Sequence, residues 1–206
     1  SFVNAESRFG CGLTVARMEG WSGRMWFDET GLVWVPPSPN IPTLDSAAVY
    51  PGTCLLEGTN VSEGRGTTKP FEILGAPWVD AQGLAEALRR RELPGVVFRP
   101  AYFTPTFSKY EGERCSGVQV HVADRRLFKP FETCLHILRE LIERHADGFS
   151  WLEPGPDGRR FFDLLAGTDR VRRGLEEGRE PREIMAELGE GLEGFLEARE
   201  RHLLYP

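Results

Sequence analysis

The chain has 206 residues, 40% of them hydrophobic and 27% charged, with a formal net charge of -6. That length is enough for one full domain or two small ones with an apolar core, and no apolar run approaches the roughly 20 residues of a membrane-spanning helix, so a soluble protein is expected. The acidic balance argues against a nucleic-acid partner, because proteins that grip the phosphate backbone present a basic face.

Four cysteines, Cys11, Cys54, Cys115 and Cys134, stand singly, without a CxxC pair or clustered histidines. No metal and no cofactor is expected from that pattern. Cys54 and Cys134 fall in apolar stretches and read as small buried hydrophobes. The chain begins at Ser1 without a methionine or a charged-then-apolar leader, which suggests a processed or partial piece of something longer.

Residues 12–18 alternate as a strand does, and Glu19 to Gly23 read as a turn. Pro36, Pro37, Pro39 and Pro42 make an extended, stiff connection, because proline blocks helix and removes backbone donors. Ala47 to Leu56 reads as a helical turn feeding a strand at Thr53 to Leu56, after which the chain turns polar and glycine-rich from Glu57 to Glu72. A helix follows from Asp80 to Arg91, with Asp80 as N-cap and Leu84 and Leu88 on one face. Gly95 to Phe103 and Ser116 to Val122 are β-branched and alternating, as strands are. Over residues 131–146, Phe131, Cys134, Leu135, Leu138, Leu141 and Ile142 recur at the spacing of an amphipathic helix, which leaves His136 and His145 to solvent. The tail reads as helices over Phe161 to Leu165, Asp169 to Glu177 and Pro181 to Leu203. In the last of these Ile184, Leu188, Leu192, Phe195, Leu196 and Leu203 form the buried stripe. Strand and helix patterns that alternate and then give way to helices define an α/β (α+β) fold with a helical tail.

The loop from Glu57 to Glu72 concentrates the polar chemistry. It holds Glu57, Glu63, Glu72, Arg65 and Lys69 among hydroxyls and an amide, with glycines at 58, 64 and 66. Glycine lets backbone come close to a ligand, so this composition suits a loop that wraps a polar small molecule. It equally suits an irregular loop held by an ion pair of Glu57 or Glu63 with Arg65. A nucleotide-binding P-loop is excluded, since Gly58 and Gly64 are separated by five residues and Arg65 follows. Tyr102, Phe103, Phe107 and Tyr110 read either as a sugar-stacking wall or, more commonly for aromatics at a strand end, as core.

Taken together, Glu57-Gly-Thr-Asn-Val-Ser-Glu-Gly-Arg-Gly-Thr-Thr-Lys-Pro-Phe-Glu72 and Gly75-Ala-Pro-Trp78 resemble the signature of the NamZ exo-β-N-acetylmuramidase family. Pro37-Ser-Pro-Asn40, Tyr50-Pro-Gly52, Cys115-Ser-Gly-Val-Gln-Val-His-Val122 and the ending Arg201-His-Leu-Leu-Tyr205 extend the resemblance. It implies a remnant of a Rossmann-like N-terminal domain over residues 1–45 and a smaller mixed α/β C-terminal domain with a helical tail over 46–206. The family pattern also carries a His-Gly-Met-Thr-like segment that is absent here, so an interruption is expected after Val3.

The implied activity is that of a peptidoglycan-degrading glycoside hydrolase that releases N-acetylmuramic acid from non-reducing ends. Its partners are then peptidoglycan fragments or muramic-acid-terminated saccharides, and its place is extracellular or periplasmic. Arg65 would clamp the lactyl carboxylate through two parallel hydrogen bonds, while Asn60, Ser62 and Thr67 bind the acetamide and hydroxyls. Asn40, Glu72 and His121 complete the binding candidates, His121 reading also as a hydrogen-bonded structural histidine. Glycoside hydrolysis commonly uses two carboxyl groups, and Glu57 and Glu63 are the candidates here. The family's catalytic glutamate belongs to a Pro-Glu-His-Gly stretch of the N-terminal half that has no counterpart in this chain. The alternative is a non-catalytic domain that binds cell-wall glycan or braces a partner domain.

Overall fold

The computed structural model describes residues 2–205. They form two compact units, one of Val35–Met185 and one of Ser1–Trp34 with Ala186–Pro206. In chain order the helices are α1 (Phe2–Glu6), α2 (Leu44–Thr53), α3 (Ala81–Arg90), α4 (Pro130–Arg144), α5 (Phe161–Ala166), α6 (Arg170–Glu176), α7 (Pro181–Gly189) and α8 (Leu192–Glu200). The strands are β1 (Ile73–Ala76), β2 (Val96–Phe103) and β3 (Cys115–Val122), so the fold is mixed α/β.

The sheet is antiparallel in the order β1-β3-β2. Because strand side chains alternate between faces, the register sorts them cleanly. Leu74, Phe98, Val118 and Val120 share one face and are buried. Ile73, Arg99, Gln119 and His121 share the other. Helix α3 packs on β2 and β3 and is started by Asp80, whose Oδ1 accepts the Gln82 backbone N–H at 3.1 Å. It buries Leu84 and Leu88 completely. Helix α4 packs against α2, α3 and α6 and buries Leu135, Ile137, Leu138 and Leu141. Each such side chain taken from water contributes about 1.5–3 kcal/mol, which makes α4 the central helix of this unit.

Several local expectations are corrected. Residues 12–18 form no strand. A strand needs a ladder partner, none of the described residues supplies one, and Leu13, Val15 and Met18 remain exposed. Thr53 to Leu56 is not a strand either. Thr43 caps α2 by accepting the Ser46 N–H at 3.1 Å, and the chain then tightens into a 3₁₀ turn over Cys54–Gly58. A short apolar run carries no period that separates strand from helix. The long terminal helix is broken between α7 and α8 at Glu190, flanked by Gly189 and Gly191, where each glycine weakens a helix by about 1 kcal/mol. Of its expected stripe only Ile184 is fully buried, while Leu192, Phe195, Leu196 and Leu203 are exposed. Strand β1 went unrecognised because four residues with a glycine among them show no alternation.

His136 was expected in solvent and is instead buried, with neither ring nitrogen hydrogen-bonded. Helix α4 is covered on several sides, so its inner surface is wider than one stripe. Burial pushes the His136 pKa down, and the charges of Arg91 and Arg182 push it the same way against Glu132 and Glu180. His145 is half-buried against the Trp78 ring. Near the start, the Ser7 N–H donates to the Val3 carbonyl at 3.0 Å at the end of α1.

Candidate functional site

The polar loop turns inward rather than outward. Ser62 and Gly75 exchange both backbone hydrogen bonds, at 2.8 and 3.0 Å, and Phe71 N–H donates to Glu63 O at 2.7 Å. Gly64 and Gly66 have φ of +81° and +79°, and a Cβ at either would sit 2.2 Å from Ile73 O or 2.5 Å from Phe107 O. Only glycine fits both the dihedral and the space. Val61, Ser62 and Glu63 are consequently almost wholly buried.

At the centre is a four-member charge cluster. Arg65 Nη1 donates to Glu57 Oε2 at 2.8 Å and to Glu63 Oε1 at 2.9 Å. Lys109 Nζ reaches the other Glu63 oxygen at 3.0 Å and also donates to the carbonyls of Leu56 at 2.9 Å and Val61 at 3.0 Å. Burial alone would raise the Glu63 pKa, but Lys109 beside it and the Arg65 hydrogen bond overcome that and hold the carboxyl below its usual range. Burial depresses Lys109, against the pull of Glu63. Glu63 is thus an ionised, enclosed counter-ion that ties two cations to the loop. Glu57 is the more open carboxylate, its side chain 16% exposed against 2% for Glu63.

Arg65 retains chemistry after these bonds. Nη1 carries both ion pairs, and Nε and Nη2 make no hydrogen bond among the described residues. The Arg65 side chain is 26% exposed, and its guanidinium carbon lies 5.0 Å from the centroid of the Phe71 ring. Phe71 in turn meets Tyr50 edge-on at 4.8 Å. Burial raises the Tyr50 pKa, and Cys54 and Glu57 nearby add to the effect. Tyr50 and Lys109 therefore belong to this cluster, although neither was among the candidate site residues and Tyr50 entered only through the Tyr50-Pro-Gly52 resemblance. Lys109 lies 46 residues from Glu63, beyond any local pattern, whereas Tyr50 stands in the last turn of α2, seven residues before the loop.

The remaining candidates divide between framework and cleft. Asn60 spends both ends of its amide on the chain, Nδ2 donating to Gly148 O at 2.7 Å and Oδ1 accepting from Ser150 N at 2.9 Å. The Ser62 hydroxyl accepts from Gly64 N, and the Thr67 hydroxyl donates to Gly64 O and accepts from Lys69 N. These three hold the loop. Asn40 is half-buried in a turn in which its N–H donates to Ser38 Oγ. Glu72 is buried, accepting at Oε1 from Ser46 Oγ at 2.9 Å and Thr43 Oγ1 at 3.2 Å and at Oε2 from Lys69 Nζ at 3.0 Å. Glu72 and His121 both line a cleft of ≈ 430 Å³ on the open face of the sheet, together with Lys69, Arg99 and Gln119. His121 is exposed, and its Nε2 accepts from Arg99 Nε at 3.2 Å. Phe107 and Tyr102 are exposed, while Tyr110 accepts a hydrogen bond from the Trp78 indole.

A small antiparallel sheet with a polar cleft on one face, beside a loop whose charges are paired, defines a mixed α/β domain. The chain belongs to the NamZ family. Residues 48–205 match the family described as exo-β-N-acetylmuramidase NamZ, C-terminal, and residues 1–45 match its N-terminal counterpart. The peptidoglycan β-N-acetylmuramidase NamZ of Bacillus subtilis (strain 168) is 43% identical over 205 residues, covering 100% of this chain and 48% of that protein. Two crystal structures of DUF1343 family proteins from Bacteroides fragilis NCTC 9343 are similar in fold. One has a TM-score of 0.86 at 31% identity over 100% of this chain and 54% of its own. The other has a TM-score of 0.67 at 29% identity over 99% and 53%. The chain spans about half the length of these relatives.

Proposed function

We propose that this chain is part of an exo-acting β-N-acetylmuramidase that degrades peptidoglycan, and that it supplies one wall of the surface gripping a terminal N-acetylmuramic acid. Family membership supports the substrate class, and the state of Arg65 is the observation that carries the site. Two carboxylates fix one nitrogen of the guanidinium, while the side-on Nε and Nη2 pair stays unspent. Such a pair matches the geometry of a carboxylate, and N-acetylmuramic acid differs from other N-acetyl sugars of the wall by its lactyl carboxylate. Glu57 is placed to meet a sugar hydroxyl beside it, and Glu63 acts through Arg65 by holding it in place. A substrate in the cell wall favours a working place in the periplasm or outside the cell, which fractionation of producing cells tests directly.

The experiment compares Arg65→Ala and Arg65→Lys in the full-length protein, reading release of N-acetylmuramic acid alongside the melting temperature. Losing a charged hydrogen-bond pair costs about 1.5–3 kcal/mol, so turnover on a muramyl-terminated saccharide falls roughly 10- to 100-fold in both variants, with lysine unable to restore the fork. The Lys109 anchor favours the second reading, a bracing domain. Under that reading the rate is unchanged while melting falls in Arg65→Ala.

A further inference from the structure

The cleft on the open sheet face is separate from the Arg65 cluster, and its chemistry is one-sided. Gln119 is 5% exposed, and its Oε1 accepts from both Nε and Nη2 of Arg99, the former at 2.9 Å. Since a guanidinium only donates, this fixes which end of the amide is which. The Gln119 Nε2 donors have no protein acceptor among the described residues, and the residue lines the cleft. His121 is oriented the same way, because its Nε2 accepts from Arg99 and Nδ1 is left as the ring's N–H donor. Lys69, its side chain 38% exposed, adds a cation whose Nζ bonds Glu72 alone among the described residues. Glu72 already takes three hydrogen bonds and presents little acceptor capacity of its own. Asp45 is the remaining acid of the lining and is exposed.

We propose that this cleft is a second binding site, for a small organic carboxylate that also carries a hydroxyl or ammonium donor. The carboxylate sits against Gln119 Nε2, Arg99 and Lys69, and the donor faces Asp45. The Gln119 Nε2 donors open into the cleft, and the Arg99 clamp on Oε1 keeps the amide from turning them away. The assignment stands on this geometry and does not rest on the muramidase reading. A sugar acid and a free amino acid both satisfy the chemistry, and the test separates them.

Titrations are run by calorimetry on the full chain in an Arg65→Ala background, so that the other guanidinium does not contribute, with N-acetylmuramic acid, D-alanine and N-acetylglucosamine as probes. Saturable binding of the first marks a sugar acid and of the second an amino acid. Binding of N-acetylglucosamine as tight as either, or of none of the three, overturns the proposal. Gln119→Glu keeps the shape and the Arg99 clamp but replaces the donor by a charged oxygen, so affinity for the bound carboxylate falls at least tenfold while the melting temperature holds. Lys69→Gln, at an exposed side chain, is the second variant and weakens binding severalfold. Undiminished affinity in both variants refutes the site.

Discussion

Replacing Lys109 with methionine keeps the length of the side chain and removes its charge and three donors. In the native protein Nζ binds Glu63 Oε2 at 3.0 Å and the carbonyls of Leu56 and Val61 at 2.9 and 3.0 Å, with the lysine side chain 22% and Glu63 2% exposed. The substitution leaves Glu63 with Arg65 as its remaining cationic partner and strips the Leu56 and Val61 carbonyls of their donor, at a cost of about 3–5 kcal/mol, the range for losing one partner of a buried pair. At about 2–4 °C per kcal/mol for a protein of this size, the melting temperature falls by roughly 6–20 °C. The sharper assay is a double-mutant cycle in urea with Glu63→Gln. If the ion pair is the cause, Glu63→Gln costs less in the Lys109→Met background than alone, with a coupling of about 1–3 kcal/mol. Additivity within about 0.5 kcal/mol, or a Lys109→Met protein that loses less than about 1 kcal/mol, refutes the account of Lys109 as the anchor of the loop.

Two further outcomes follow from buried groups and from backbone. His136 has its pKa lowered in the folded state, so the unfolded chain binds the proton more readily, and stability declines as pH falls through the unfolded value of about 6.5. His136→Leu removes that dependence and leaves two fewer unpaired buried nitrogens. Its melting temperature exceeds that of the parent at pH 5.5 by more than at pH 8, and parallel pH profiles would contradict this. Gly66→Ala forces a left-handed dihedral, costing about 1–2 kcal/mol, and drives a Cβ toward Phe107 O. A lowered urea midpoint is expected, and an unchanged one would mean that the loop backbone adapts freely.

Much of the fold was readable where structure is decided locally. The α4 pattern, the Asp80 cap of α3 and the alternation of β2 and β3 all appear within a few residues of where they were expected. The same alternation placed Gln119 and His121 on the face opposite Val118 and Val120, a signal that pointed to the cleft and was used only for His121. The site itself was half legible. Composition singled out Glu57 to Glu72, and of its two readings the structure shows the ion pair, Arg65 with Glu57 and Glu63. Asn60, Ser62 and Thr67 look like ligand contacts in a list of polar residues, yet their hydrogen bonds go to Gly148, Ser150, Gly64 and Lys69.

By itself, then, the amino-acid order determined which segments coil, which extend and which loop concentrates charge, because periodicity, capping and glycine content act over a turn or a strand. Which charges are enclosed and which stay open was decided only in three dimensions. Lys109 meets Glu63 across 46 residues, Gln119 meets Arg99 across 20, and His136 loses its water to helices from elsewhere in the chain. Burial and electrostatic pairing depend on what arrives from a distance, and no local pattern carries that information.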